Sequence, residues 1–254
     1  MNTSTHAQQS SGRPTESMKP EAPDILEYGA PREGVKQSTN RRLFMQLLVY
    51  TEAMDVSRLS QAMAKSGVEG VLYLDVNDPR GIGVLLVSEN PADFTGEARK
   101  LLSQKPFSQL KPRPEMTMMG RTYSIGHEQD LEDWLLKKPR RNLYESKSDW
   151  AVWYPLRRKG EFEGLSKEEQ RPILMEHAKL GMGYGMADLA HDVRLACHGL
   201  DAADNEFVIG VLAKDLHPIS RLIQDMRHTQ QTSKYIQSMG PFFVGKVLSN
   251  FPKK

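Results

Sequence analysis

An α+β fold built from two successive β-α-β-β-α-β modules is what the sequence predicts, and three observations carry that prediction. Strand-like and helix-like apolar runs follow one another in the same order twice. Three of the four helix-like runs open on a capping or helix-initiating residue. A charged connection, "HEQDLEDWLLKKPRRNLYESKSD", separates the two halves.

In the first half, "RRLFMQLLVYTE" from Arg41 is β-branched, aromatic and apolar and reads as a strand. "DVSRLSQAMAKSGV" opens on Asp55, carries Leu59, Met63 and Ala64 at helical spacing and ends at Gly67. "GVLYLDV" and "GIGVLLVSE" are strands joined by the turn-forming "NDPR". "NPADFTGEARKLLSQ" is a second helix begun by Asn-Pro, and "EMTMMGRTYSIG" is the closing strand.

The second half repeats the order. "WAVWYPL" is a strand, and "SKEEQRPILMEHAKLGM" is a helix with Ser166 and Glu169 in capping-box spacing. Pro172 would interrupt that helix, so its start is expected at Pro172, with the box marking a preceding turn. "ADLAHDVRLACHGL" and "NEFVIGVLAKD" pair around "DAAD", "LHPISRLIQDMRHTQQTSKYI" is one helix, and "PFFVGKVLSNF" closes the module. Two such units are tandem ferredoxin-like modules whose open sheet faces pack into a dimeric α+β barrel-like subunit. The expected boundaries are a disordered tail over 1–38, a module over 39–128, a partly helical linker over 129–148 and a module over 149–254. The tail is rich in Ser, Thr, Gln, Pro and Glu and has too few large apolar residues to offset its ordering entropy.

Composition excludes several function classes. Of 254 residues, 34 are Lys or Arg and 32 are Asp or Glu, a net charge of +2 that gives no electrostatic case for nucleic-acid binding. The single cysteine, Cys197, permits no internal disulfide and no thiolate metal site, as suits a reducing compartment. No apolar run reaches the roughly 20 residues that span a bilayer. The first residues contain no apolar signal core. The expectation is a cytoplasmic protein with no membrane partner.

Few motifs carry chemistry. His177 sits in "RPILMEHAKLGMGYG", with Leu174, Leu180, Gly181 and Tyr184 at helical neighbour spacing. An imidazole there is either a core histidine bonded to a backbone carbonyl or an axial ligand to haem iron, with Gly181, Gly183 and Gly185 leaving room for a flat ring. In "WYPLRRKG", Tyr154 is followed by Arg157, Arg158 and Lys159. That is either a solvated basic turn or a phenol beside a carboxylate-binding cluster. "KKPRR" reads most simply as a basic linker. Gly81-Ile-Gly83 lies between strands and is no dinucleotide fingerprint, and His191 and His198 differ by an odd number, so they face opposite sides of a strand.

Tyr154-Pro155, "RPILMEH" with a tyrosine seven after the histidine, "HGLD" and "GPFFVGKV" resemble the chlorite dismutase-like superfamily, and within it the coproheme decarboxylases. The likeness covers roughly residues 40 to 250 and is densest from 120 on. It implies iron coproporphyrin III as both substrate and redox cofactor, bound through His177 in the C-terminal module and oxidised by hydrogen peroxide. It implies a radical on Tyr154 that turns two propionates into vinyl groups, giving haem b. It further implies a homopentamer in transient contact with the coproporphyrin ferrochelatase.

Residue by residue, the resemblance puts Arg158 where the family has a lysine beside the tyrosine, with Arg157 and Lys159 as further cations. Arg141 and Tyr144 stand for propionate-holding residues, at a different spacing to Tyr154, and Ser233 for a propionate-binding serine. The residue over the iron does not carry over: counted from His177 it falls on Ala190, counted back from Gly199 on Asp192, and the nearest arginine is Arg194. The alternatives kept open are a chlorite-degrading haem enzyme and a haem- or porphyrin-binding protein without turnover.

Overall fold

Alternation decides the strands. In the computed structural model, which describes residues 21–253 except 146, strand β1 (Phe44–Thr51) turns Met45, Leu47 and Val49 inward and Leu48 and Tyr50 outward. Helix α1 (Val56–Ser66) follows, its first turn capped by the Asp55 carboxylate, which accepts from Arg58 N, and its end turned by Gly67 at φ 71°. Strands β2 (Gly70–Asp75) and β3 (Ile82–Ser88), helix α2 (Glu97–Leu102) and strand β4 (Met118–Arg121) complete the first module. The second contains β5 (Trp150–Arg158), α3 (Lys167–Met186), β6 (His191–Ala196), β7 (Phe207–Ala213), α4 (Leu216–Met226), α5 (Gln230–Tyr235) and β8 (Phe243–Phe251).

Both modules have the ferredoxin-like strand order, β4-β1-β3-β2 and β8-β5-β7-β6, and every pairing is antiparallel. Their edges then meet. β2 pairs with β8 along most of its length, and β4 meets β6 at Arg121 and Ala196, so the eight strands close on themselves. One apolar cluster fills the interior, including Met45, Leu47, Tyr73, Leu85, Trp153 and Phe243. Gly210 stands directly opposite Trp153 on the paired strand, and a Cβ there would lie 2.6 Å from the indole. That glycine lets the barrel hold a tryptophan. Two further clusters lie outside the sheet, one under α1 and α2, the other under α3 and α4.

The linker is a helix over 131–145 containing wide i→i+5 turns. Leu131, Leu135, Leu136 and Leu143 join the interior cluster, and Arg140 forks onto the buried Glu69 carboxylate at 2.8 and 2.9 Å. The linker is thus a barrel plug as well as a connection.

Three expectations need correction. The histidine helix begins at Lys167, not Pro172: Ser166 accepts from Glu169 N and the Glu169 carboxylate accepts from Ser166 N, a complete capping box. Pro172 lies inside and forfeits only the bond to the Glu168 carbonyl. The run 216–236 is two helices, α4 and α5, because the Thr229 hydroxyl caps a fresh start at Gln230. Of the expected tail, residues 1–20 lie outside the described residues, but Glu27–Tyr28 pairs with Ser38–Thr39. Polar bonds hold that segment. The Glu27 carboxylate accepts from Arg121 and Ser124 N, and the Gln37 amide donates to the Ala30 and Glu128 carbonyls.

Candidate functional site

His177 projects from the middle of α3, half-buried, with Nδ1 3.2 Å from Thr229 Oγ1. The threonine settles the tautomer. Its single hydroxyl proton goes to the Met226 carbonyl at 2.7 Å, so toward the imidazole it can only accept. Nδ1 therefore carries the proton and Nε2 keeps a free lone pair, with no protein partner among the described residues. Burial, helped by the Arg194 guanidinium, lowers the imidazolium pKa from its ordinary 6.5 against the pulls of Asp192 and Glu176. The ring is neutral at pH 7. A neutral imidazole in this tautomer has the lone pair that coordination to a metal requires.

The sheet face opposite α3 follows from register. Directly paired residues share a face, and Tyr154 pairs with Ile209, which pairs with Arg194. Val152, Val211 and Asp192 form the next row, one pleat along. Tyr154 and Arg194 thus lie on one face, two strands or about 10 Å apart, and the Arg194 Nε is 3.0 Å from an Asp192 carboxylate oxygen. The Asp192 charge acts on both the His177 ring and the Tyr154 hydroxyl.

The Tyr154 ring is 7% exposed and stacks on Phe242 at 4.7 Å, so "GPFFVG" supplies the platform for the phenol. Its hydroxyl makes no hydrogen bond among the described residues. Burial pushes its pKa well above the usual 10, Asp192 adds to the rise and Arg227 opposes it. The phenol stays protonated throughout the physiological range.

The expected cations and propionate holders sit differently from the expectation. Arg158 shares the Tyr154 face but is held by Glu206 (3.1 Å) and Glu163 (2.7 Å) between the rings of Phe162 and Phe207. Arg227, just past α4, is the cation that acts on the phenol; it is exposed and has no carboxylate partner among the described residues. Arg157 clamps the 203–204 loop through its carbonyls, and Lys159 donates its backbone N–H to the Tyr235 carbonyl at the start of a short helix. Tyr144 packs on the barrel interior, its buried hydroxyl unpartnered and near Glu69, away from His177. Arg141 forms a two-bond pair with Asp133. Ser233 lies one turn beyond Thr229 on α5 and donates to its carbonyl at 2.8 Å. Sequence spacing gave no sign of Thr229 or Arg227; the only available signal was a cap residue inside an apparently continuous helix.

A shallow cleft is lined by Tyr123, Ile125, Trp134, Lys138, Asp192 and Arg194. Trp134 is fixed by its indole N–H, which donates to the Tyr123 carbonyl, and both Lys138 (4.2 Å) and Arg194 (5.1 Å) lie over its ring.

These residues fit an iron porphyrin. One neutral imidazole offers one axial bond, and no cluster of three or more metal-binding side chains exists among the described residues, so a metal here brings its other ligands with it. On the His177 face of α3, Leu174 is 39% exposed and Gly181 leaves only the Met226 side chain within 4 Å of a would-be Cβ; the exposed Met175 and Met182 lie on the other side of the helix. Leu174 and the small Gly181 are the apolar surface beside the imidazole.

Comparison with known proteins agrees in fold. The family model described as chlorite dismutase matches residues 120–248, just over half the chain. A heme-binding protein from Thermus thermophilus superposes with a TM-score of 0.63 at 18% identity, over 82% of this chain and 92% of its own. Chlorite dismutase from Candidatus Nitrospira defluvii, solved with imidazole, gives 0.62 at 13% identity, over 83% and 93%. No curated protein sequence matches the chain.

Proposed function

We propose that this chain, which belongs to the chlorite dismutase family, is a hydrogen-peroxide-dependent coproheme decarboxylase. The observation that carries the reading is a protonated, unbonded phenol on the same sheet face as the groups around a neutral histidine. In each turn one propionate, one peroxide and one proton give one vinyl group, one carbon dioxide and two waters. Two turns give haem b.

The iron porphyrin, when bound, supplies the centre that peroxide oxidises. The chain's residues do the rest. His177 would hold the iron through Nε2, and Thr229 keeps the ring in that tautomer. Tyr154 gives up a hydrogen atom from its hydroxyl and regains one from the β-carbon of a propionate, which then loses carbon dioxide. Its raised pKa favours loss of proton and electron together over oxidation of a phenolate. Arg227 is the open cation for the propionate carboxylate and Ser233 the serine that the resemblance assigns to it, while Arg158 supports the strand end through its two acids.

Mixing the protein with iron coproporphyrin and peroxide tests this: the porphyrin should lose one CO₂ plus two hydrogens, twice in succession, and an unchanged mass refutes it. A second reading, chlorite degradation, is favoured by Arg194, a cation on the face where hypochlorite would be held. Asp192 at 3.0 Å offsets that charge. Oxygen release on adding chlorite would establish the second reading instead. By the same resemblance the assembly is a cytoplasmic homopentamer fed by the coproporphyrin ferrochelatase. No helix among the described residues is long and apolar enough to cross a membrane. Sedimentation of the loaded protein tests the subunit count.

A further inference from the structure

We propose that Glu176 and Tyr184, one on either side of His177 along α3, are positioning residues that hold the α4–α5 corner against this helix and so keep Thr229 on the imidazole. The inference rests on the reading of His177 as the iron ligand. It adds the two groups that keep its ring in the coordinating tautomer.

Thr229 lies in the turn between α4 and α5, where its N–H donates to the Met226 carbonyl at 3.1 Å. That turn sets its backbone but not its distance from α3, which is a separate helix. Hydrogen bonds that cross from α3 set the distance. The Tyr184 hydroxyl donates to an Asp225 carboxylate oxygen at 2.7 Å, and the Glu176 carboxylate accepts from Gln230 N at 2.9 Å. Between them His177 Nδ1–H donates to Thr229 Oγ1 at 3.2 Å, the longest of the set. Glu176 and His177 are consecutive, as are Thr229 and Gln230, so the outer bond pulls the inner pair together. Tyr184 stands two turns beyond His177 on the same face. Its partner Asp225, about one turn before Thr229, is itself held by Arg221 Nε at 3.0 Å. α5 has no buried side chain, so apolar packing does little to keep its start on α3.

A separation of 3.2 Å is the upper end of the ordinary range for such a bond. A small outward shift of the corner therefore breaks it. The imidazole proton is then free to move to Nε2, and the lone pair turns toward the threonine and is lost to coordination. This gives a use to the tyrosine seven residues after the histidine, which the proposed reaction leaves idle.

Nitrogen-15 NMR of the full chain, labelled at histidine and carrying no porphyrin, reads the tautomer directly; the His177 signals are those missing from His177→Gln. Wild type should carry the proton on Nδ1. Glu176→Ala and Tyr184→Phe should each move part of the population to Nε2–H, and the double variant most of it. Coproheme affinity, titrated by absorbance, should fall about threefold for each single variant, the scale of one exposed hydrogen bond, and about tenfold for the pair. Glu176→Gln, whose amide oxygen can accept the same N–H, should keep the wild-type tautomer and affinity. On a Thr229→Val background, Glu176→Ala should cause no further loss. A double variant with the wild-type tautomer overturns the inference even if it unfolds earlier, because the two bonds then only stabilise helix packing. An undiminished Glu176→Ala loss on the Thr229→Val background overturns it as well, since the carboxylate would then act without the threonine. So does a Glu176→Gln variant as impaired as Glu176→Ala, which would assign the effect to charge. A wild-type chain that takes up no coproheme refutes the functional reading instead, and the NMR result still decides the positioning role.

Discussion

Replacing Thr229 with valine keeps the side-chain shape and removes one oxygen. Thr229 is 5% exposed, so water does not simply take its place. The Met226 carbonyl keeps a partner, because it also accepts from Thr229 N at 3.1 Å. The group left unpaired is the His177 Nδ1–H. A buried donor without a partner costs about 1–3 kcal/mol, and a half-buried ring belongs at the lower end, about 1.4 kcal/mol. The imidazole can avoid that cost by moving its proton to Nε2, but the lone pair then points at the valine and is lost to the iron. Either way coproheme binding should weaken by about tenfold. The hydroxyl's other role is small, since its contact with Thr232 N is 3.5 Å, and loss of the α5 cap should lower stability by about 0.5 kcal/mol. Titration of coproheme by absorbance measures the first effect and thermal unfolding the second. Thr229→Ser should restore wild-type affinity. A valine variant that binds within twofold of wild type would refute the tautomer argument.

Other outcomes follow from single contacts. Tyr154→Phe should bind coproheme without decarboxylating it and unfold within about 0.5 kcal/mol of wild type, because the hydroxyl it removes has no hydrogen bond among the described residues; decarboxylation at the wild-type rate would remove Tyr154 from the chemistry. His177 has a folded pKa depressed below 6.5, so the stability that depends on its neutral form is present above about pH 6.5 and lost as the pH falls. Chemical denaturation of His177→Gln should therefore show a flatter acid limb than wild type, and an identical limb would contradict the neutral assignment. Arg140→Met strands the buried Glu69 carboxylate and should cost about 3 kcal/mol, read as a Tm drop of roughly 6–12 °C. Gly210→Ala should also unfold earlier, since its new methyl meets the Trp153 ring at 2.6 Å; an unchanged Tm would mean that the indole moves freely.

What could be read in the chain was what periodicity and local bonding encode. The twofold strand and helix order, the Asp55 cap and the Gly67 stop depend on neighbours within four residues, and each is where the sequence puts it. Pro172 misled because the capping box outweighs one lost helix bond, and the break at Thr229 was hidden by continuous helix-forming composition. The ordering of 27–39 was illegible because carboxylate and amide bonds to residues about ninety positions away hold it, not apolar burial. The same limit applies to the site. Arg158 follows Tyr154 closely in sequence and on the same face, yet Glu163 and Glu206 claim it. Tyr144 looked like a ligand-holding phenol but turns into the barrel. Arg194, which counting could not place, falls into line with Tyr154 only once Ile209 stands between them.

The bond from His177 Nε2 to a porphyrin iron carries the remaining argument, and the absorption spectrum of the ferric coproheme complex tests it most directly. His177→Ala should lose the imidazole-ligated spectrum of the wild-type complex and regain it when free imidazole is added to fill the space. A variant whose spectrum matches wild type without added imidazole would show that the iron takes another ligand and that this histidine only packs.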